Sequence, residues 1–169
     1  IGQGYIQTTP IQLCLMTAQI ANGGYKIYPK IVLNQNDEDI EKDKFEPLVQ
    51  NSKNIRMVQE AMFSSTNEVR GTSYKSRINN PKYQFAGKTG TAQVKRITKQ
   101  DRELDLKTFE IPYEERDHAL YVAFGPYRNP RYAASILIEH GGSGSSVAAP
   151  IAKKLFKKII DRHQVRKDF

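Results

Sequence analysis

The sequence is poor in several features that define common classes of protein. Its 169 residues include one cysteine, Cys14, and no tryptophan. A single cysteine excludes an internal disulfide and a metal cluster built on cysteines. The longest apolar run is far shorter than the roughly 20 residues that a transmembrane helix needs, and no basic-then-apolar leader follows Ile1. What is present, 38% apolar and 26% charged residues, predicts one folded domain, or most of one, with its own core.

Positive charge is in excess, and much of it lies near the C-terminus. The formal net charge is +8, and from Val147 onward seven Lys and Arg residues oppose two Asp residues. At about 100° per residue, a helix from Val147 to Arg162 separates this segment into an apolar half and a basic half. The apolar half contains Ile151, Ala152, Leu155, Phe156, Ile159 and Ile160, and the basic half contains Lys153, Lys154, Lys157 and Lys158. A solvated amphipathic helix on a sheet explains this pattern better than a basic module for nucleic acid or anionic surfaces, which stays the non-enzymatic alternative.

Capping signals and periodicity predict two further helices. Thr9, Pro10 and Gln12 form a capping-box pattern before a helix that ends near Gly23. Helical spacing predicts a second helix from about Ser52 to Ser64. The predicted core-facing residues are Ile11, Leu15, Met16, Ala18 and Ile20 in the first helix, and Ile55, Val58, Ala61 and Met62 in the second.

Three strands are predicted in the second half of the chain, near Gln84–Val94, His118–Phe124 and Tyr132–Ile138. The connection between the last two is too short for a crossover, so we expect an antiparallel meander. Shorter strands are expected at Tyr25–Leu33 and Phe45–Val49, on either side of a polar loop at Asn34–Lys44. The charged segment Lys95–Asp117 has no clear period and is expected to be a mobile loop. These elements predict an α/β fold of the α+β type, an antiparallel sheet covered by helices.

The segment Lys88-Thr89-Gly90-Thr91-Ala92 is the most informative motif in the chain. Glycine weakens a strand interior, but it lets another backbone approach the strand closely. Lys88 adds a positive charge, and Thr89 and Thr91 place two hydroxyls on one face by the two-residue alternation of a strand. The set suits a peptide that ends in a carboxylate and lies along the strand. The alternative is a kinked edge strand with one solvated lysine.

The surroundings of this motif resemble the class B penicillin-binding proteins, and Lys-Thr-Gly on a strand is the third motif of the penicillin-recognising serine enzymes. The matching segments follow the family order along essentially the whole chain: Ile1–Leu13, Ala21–Gly24, Gly87–Gln93, His118-Ala119, Glu139–Gly142 and Val147–Pro150. The tail is most similar to elongation-type members, with the septal type as the close rival. The resemblance implies that residues 1–169 are the C-terminal part of one transpeptidase domain with the penicillin-binding/serine β-lactamase-like fold.

The chain also departs from the family pattern. No serine has a lysine three positions later, so the Ser-x-x-Lys nucleophile motif is absent. Ser-x-Asn occurs as Ser52-Lys53-Asn54 and Ser65-Thr66-Asn67, but both follow Ile1–Gly4, whereas the family places this motif before that segment. We interpret both as chance matches at the ends of a surface helix. The nucleophile, its lysine base and the second-motif serine are therefore expected outside this chain, and the chain alone is expected to be inactive.

The resemblance implies a serine acyl-transfer reaction on peptidoglycan stem peptides that end in D-Ala-D-Ala, with β-lactam antibiotics as mimics of that end. Lys88 would be catalytic and Thr89, Gly90, Thr91 and Ala92 would bind substrate, the Thr91 N–H serving as half of an oxyanion hole. No cofactor, metal or nucleic acid is implied. The family also implies a membrane-anchored protein on the periplasmic side of the bacterial inner membrane, acting with the cell-elongation machinery.

Two alternatives remain from the sequence beside the basic binding module. A β-lactamase or D,D-carboxypeptidase of the same superfamily would keep the Lys-Thr-Gly strand but change the reaction. The turn Gly141–Gly144 resembles a phosphate loop, but it lacks the Lys-Ser/Thr that follows such a loop.

His118, His140 and His163 are interpreted as too scattered for a metal site. Finally, an apolar edge at Tyr132–Ile138 is expected to make the isolated chain self-associate.

Overall fold

The computed structural model describes residues 6–30, 46–95 and 106–165. Helix α1 spans Pro10–Ala21, α2 spans Ser52–Asn67 and α3 spans Ala149–Val165. Strand β1 spans Ala86–Ala92, β2 spans His118–Gly125 and β3 spans Tyr132–Ile138. In the described part of the chain no helix is long and apolar enough to cross a membrane.

The three strands form one antiparallel sheet in the order β1-β2-β3, which confirms the predicted meander. In the register, Thr89 of β1 pairs with Tyr121 of β2, and Tyr121 pairs with Ile136 of β3. Among the described residues β2 is therefore central, and β1 and β3 are the two edges. Strand β1 begins two residues later than predicted because Gln84 still belongs to a 3-10 turn at Pro81–Tyr83.

Helix α1 begins as predicted, but it buries a different face. The Thr9 hydroxyl accepts from the Gln12 N–H at 3.3 Å, and the Thr9 N–H donates to Gln12 Oε1 at 2.8 Å, which completes the capping box. Ile11 and Met16, predicted to face the core, are 61% and 44% exposed. The fully buried side chain is Thr17, whose hydroxyl is satisfied by the Leu13 carbonyl at 2.7 Å. Helix α1 packs on β3 mainly through this face, which combines polar and apolar residues. Hydrophobicity alone therefore predicted the wrong buried face of the helix.

Helix α2 extends three residues beyond its predicted end and packs its C-terminal half against β1. Met62 is buried as predicted, but Val58 and Ala61 are exposed. The buried face instead includes Thr66, together with Gln59, which is half-buried. Gln59 Nε2 donates to the Ile20 carbonyl at 2.7 Å and so satisfies an end carbonyl of α1. Only part of the predicted apolar stripe is therefore buried, and polar contacts of α2 add to its packing.

The core lies on both faces of the sheet. On the α3 face the Phe85 and Phe156 rings stack at 5.3 Å, and Ala152 and Ile160 are buried beside them. Ile151 and Leu155 are 40% and 37% exposed, so only part of the predicted apolar half of α3 reaches the core. The predicted basic half is exposed, namely Lys153, Lys154, Lys157 and Lys158. On the other face Met62, Ala86 and Phe124 form a second, smaller cluster.

Of the predicted peripheral features, one differs in the structure and one is described only in part. The short strands around residues 25–49 reduce to a single antiparallel bridge between Tyr25 and Pro47 among the described residues. In the charged segment after β1, residues 96–105 lie outside the described part of the chain. Its second half is ordered by a 3-10 turn at Tyr113–Glu115 and by Arg116, whose Nε donates to the Ile111 carbonyl at 2.9 Å. The expected mobility of the first half stays a prediction.

Candidate active site

Three side-chain hydrogen bonds reach the outer edge of β1, the side turned away from β2, one at Phe85 just before the strand and two within it. They are from Asn67 Nδ2 to the Phe85 carbonyl at 3.0 Å, from Thr66 Oγ1 to the Gly87 carbonyl at 3.5 Å, and from Lys88 Nζ to the Thr89 carbonyl at 2.9 Å. Alternate residues of an antiparallel strand direct both backbone groups to the same side. The backbone N–H and C=O of Thr91 therefore also point to this outer edge.

Lys88 and Thr89 meet at one corner of this edge. Their side chains leave opposite faces of the sheet, because the register places Lys88 beside Val122 and Thr89 beside Tyr121. The exposed Lys88 side chain nevertheless curls around the edge, and its Nζ lies 3.3 Å from Thr89 Oγ1. A positive charge and a hydroxyl are thus brought together where a ligand beside the strand would lie.

The rest of the motif follows the predicted alternation. Thr91 lies on the same face as Thr89 and, like it, is half-buried. Gly90 lies under the turn that precedes α3, where a side chain on Gly144 would stand 2.6 Å from the Gly90 carbonyl oxygen. Ala92 ends the strand opposite His118. The absence of a side chain on Gly144 therefore allows the turn and the strand to approach to backbone contact.

A buried cluster of three hydroxyls packs against β1 at Gly87. The sequence did not predict this cluster. The Tyr121 OH lies 2.9 Å from Thr66 Oγ1 and 3.0 Å from Ser73 Oγ, and all three residues are buried. Burial raises the pKa of the Tyr121 phenol, and its hydrogen bonds with Ser73 and Thr66 partly oppose that rise. Gly87 is required here because a Cβ on it would lie 2.4 Å from the Tyr121 oxygen.

The cluster corrects the interpretation of the second Ser-x-Asn pattern. Ser65-Thr66-Asn67 is not at the surface end of a helix: Thr66 is fully buried, and Asn67 reaches the Phe85 carbonyl. The first pattern, residues 52–54, is exposed as predicted. A small polar residue at every position from 64 to 67 was the signal that this helix end contacts a backbone rather than an apolar core.

A second chain of hydroxyls reaches the motif itself. Thr72 Oγ1 lies 3.3 Å from Thr89 Oγ1 and 3.2 Å from Ser65 Oγ. Thr72 belongs to the loop after α2, so this contact joins the C-terminal end of α2 to the Lys88–Thr89 corner. No sequence pattern singled out Thr72.

Two of the three histidines are less scattered than predicted. The His118 and His140 rings lie 4.8 Å apart, and the His140 N–H donates to His118 Nδ1 at 2.9 Å. This pair fixes the turn after β3 against the start of β2. Within the residues that the structure describes, no group of three or more His, Cys, Asp and Glu side chains is placed to hold a metal ion.

The comparisons with known proteins agree with this fold and with the resemblance found in the sequence. Residues 1–157 match the penicillin binding protein transpeptidase domain. The peptidoglycan D,D-transpeptidase MrdA of Salmonella typhimurium is 34% identical over 170 residues, covering 95% of this chain and 26% of that protein. Pseudomonas aeruginosa PBP2 in complex with WCK 5153 has a TM-score of 0.73 and 36% identity over 94% of this chain and 32% of that one.

The complex of Helicobacter pylori PBP2 with MreC gives a TM-score of 0.75 and 31% identity over 95% of this chain and 26% of that chain. An antiparallel sheet covered by helices, with Lys-Thr-Gly-Thr on an edge strand, is therefore a penicillin-binding fold. The chain belongs to the penicillin-binding protein transpeptidase family. The MrdA and PBP2 relatives confirm the predicted similarity to elongation-type members. The chain spans about a quarter of the length of the curated relatives it matches.

Proposed function

We propose that this chain supplies the substrate-binding edge of a peptidoglycan D,D-transpeptidase whose serine nucleophile lies outside residues 1–169. In this proposal the chain is the C-terminal part of one transpeptidase domain, and the Ser-x-x-Lys and Ser-x-Asn motifs come from the remainder of the protein. The names of the relatives favour a transpeptidase over a β-lactamase or a carboxypeptidase.

The observation that carries the proposal is the common direction of the functional groups of β1. The backbone groups of alternate residues, the Lys88 ammonium and the Thr89 hydroxyl all converge on the outer edge of the strand. An extended peptide can add to such an edge by main-chain hydrogen bonds. A lysine and hydroxyls at the same edge suit a peptide that ends in a carboxylate.

We assign each group a role in acyl transfer. The serine attacks the carbonyl between the two terminal D-Ala residues, the last D-Ala leaves, and an amine of a neighbouring stem peptide then takes the acyl group. Lys88 stabilises the terminal carboxylate and assists proton transfer to the leaving group, while Thr89 and Thr91 donate to that carboxylate. The outward Thr91 N–H donates to the carbonyl oxygen as it gains charge, which is typically worth about 3 kcal/mol in the transition state. Gly90 has no side chain and Ala92 has only a methyl group, so neither obstructs the peptide.

Penicillin acylation of the intact protein tests the proposal. We expect mass spectrometry to show one penicilloyl adduct on a serine outside this chain, and we expect release of D-Ala from a D-Ala-D-Ala stem peptide. The 169-residue chain alone should form no stable adduct, because it contains no Ser-x-x-Lys motif to supply an activated serine nucleophile. A stoichiometric adduct on any serine of this chain would contradict the assignment of the nucleophile.

We further propose that the intact protein is membrane-anchored, acts on the periplasmic side of the inner membrane and binds a component of the cell-elongation machinery. The Helicobacter pylori relative is in a complex with MreC, which supports a partner of this kind. We also propose that the isolated chain self-associates through β3, the apolar edge of the sheet.

A further inference from the structure

Thr72 occupies a position that links α2 to the proposed carboxylate site. Its Oγ1 lies between two other hydroxyls, 3.3 Å from Thr89 Oγ1 and 3.2 Å from Ser65 Oγ. We propose that Thr72 is a positioning residue that turns the Thr89 hydroxyl hydrogen toward the terminal carboxylate of the bound peptide. This inference rests on the proposed function, in which Thr89 binds that carboxylate.

The hydrogen-bond donors and acceptors around Thr89 Oγ1 determine where its hydrogen points. A threonine hydroxyl has one hydrogen to donate and two lone pairs that accept. Lys88 Nζ is a donor only, so its 3.3 Å contact uses one lone pair of Thr89. If Thr72 also donates, both lone pairs are occupied and the Thr89 hydrogen is directed out of the network. A carboxylate, which only accepts, then meets a donor that is already oriented.

Ser65 completes the direction of this network. When the Ser65 hydroxyl donates to Thr72 Oγ1, the Thr72 hydrogen is left to donate to Thr89. In this arrangement Ser65 donates to Thr72 and Thr72 donates to Thr89. All three hydroxyl hydrogens then point in one direction, toward the outer edge of β1. The reverse order would use the Thr89 hydrogen on Thr72 and leave a lone pair facing the carboxylate, which repels it.

The backbone holds Thr72 in place independently of its side chain. The Ser73 N–H and the Ser73 hydroxyl both donate to the Ser65 carbonyl at 3.0 Å. Gly71 lies so close to α2 that a Cβ on it would stand 2.3 Å from the Ser65 carbonyl oxygen. Thr72 itself is exposed. Removal of its hydroxyl is therefore expected to leave the loop and the fold intact.

The test compares three variants in the intact protein. Thr72→Val removes the hydroxyl but keeps the shape, Thr72→Ser keeps the hydroxyl, and Ser64→Ala removes a neighbouring hydroxyl that donates to Glu68 and not to the network. The readout is the rate of serine acylation by a D-Ala-D-Ala thioester analogue with a free terminal carboxylate, and by the same compound with a carboxamide in its place.

We expect Thr72→Val to slow acylation by the carboxylate compound about 10-fold, the scale of one hydrogen bond to a charged group. Thr72→Ser and Ser64→Ala should stay close to wild type, and the carboxamide compound should show little difference among the variants. An unchanged Thr72→Val rate would overturn the inference, as would an equal loss with both compounds. If Thr72→Val lowers the melting temperature appreciably, Ser65→Ala replaces it and must slow the carboxylate reaction selectively.

The design separates this inference from the function on which it rests. If wild-type protein acquires no acyl group from either compound or from penicillin, the proposed transpeptidase function fails. If wild type is acylated and Thr72→Val matches it, only the role of Thr72 fails.

Discussion

The two edge strands of the sheet differ in what they present to their surroundings. Strand β1 is built from small and polar residues, and hydroxyls and amides from α2 contact its outer carbonyls. Strand β3, Tyr-Ala-Ala-Ser-Ile-Leu-Ile, is almost wholly apolar and is half-buried, with α1 packed on one of its faces. A polar, supported edge suits recognition of a backbone, whereas an apolar edge suits pairing with another strand.

Of the changes that would distinguish the functions of the two edges, substitution of Lys88 is expected to have the largest effect. In the intact protein, Lys88→Ala should slow acylation by penicillin at least about 100-fold, since a preorganised charge is lost from the site. The melting temperature should barely change, because the exposed side chain leaves no cavity. Lys153→Ala, which removes an equally exposed lysine from α3, is the control and should leave both quantities near wild type. A Lys88→Ala rate within a few-fold of wild type would remove Lys88 from the site.

A substitution at Gly87 tests whether β1 depends on its close packing against Tyr121. A Cβ at this position would lie 2.4 Å from the Tyr121 oxygen, so Gly87→Ala should lower the free energy of unfolding by about 1–3 kcal/mol. Gly90→Ala is the matched control in the same strand, because its Cβ would meet the Leu120 Cβ at a longer distance of 3.1 Å. Chemical denaturation of both variants measures the difference. A Gly87→Ala variant as stable as wild type would show that Tyr121 moves aside without cost.

Tyr121 tests the buried hydroxyl cluster in the same way. Tyr121→Phe leaves Thr66 and Ser73 without their shared partner and should cost about 1–3 kcal/mol. Burial raises the folded-state pKa of Tyr121 above its ordinary value of about 10, so above about pH 10 the unfolded chain loses this proton more readily. The Tyr121 contribution is therefore fully present below about pH 10 and falls as the pH rises further. The stability difference between wild type and Tyr121→Phe should shrink in that range, and a difference that grows with pH would contradict the burial argument.

The smallest of these effects is expected at β3. The isolated 169-residue chain should show a light-scattering mass that rises with concentration, because an apolar edge strand can pair with another copy. The rise should persist at high salt, which screens the basic surface of α3 and so separates edge pairing from charge effects. A mass equal to one chain over a wide concentration range would defeat this expectation.

The same contrast explains what the sequence predicts and what it does not. The Thr9 cap, the end of α1 near Gly23, the three strands and their order follow from local signals. The motif at Lys88–Ala92 was recognisable because its residue types are unusual in a strand. The buried faces of α1 and α2 were misplaced because Thr17 and Thr66 are buried with satisfied hydroxyls, which hydrophobic periodicity does not register. Contacts between distant residues, such as Thr72 with Thr89 and His118 with His140, depend on the assembled fold and have no local signal.

The central claim is that the outer edge of β1 binds the terminal carboxylate and the reacting carbonyl of the peptide. A crystal structure of the intact protein acylated by a penicillin tests it most directly. We predict the penicillin carboxylate within hydrogen-bond distance, about 3 Å, of the Thr89 and Thr91 hydroxyls, and the acyl carbonyl oxygen at the same distance from the Thr91 N–H. A penicilloyl group whose carboxylate lies away from β1, or whose carbonyl oxygen is held by other donors, would contradict the account.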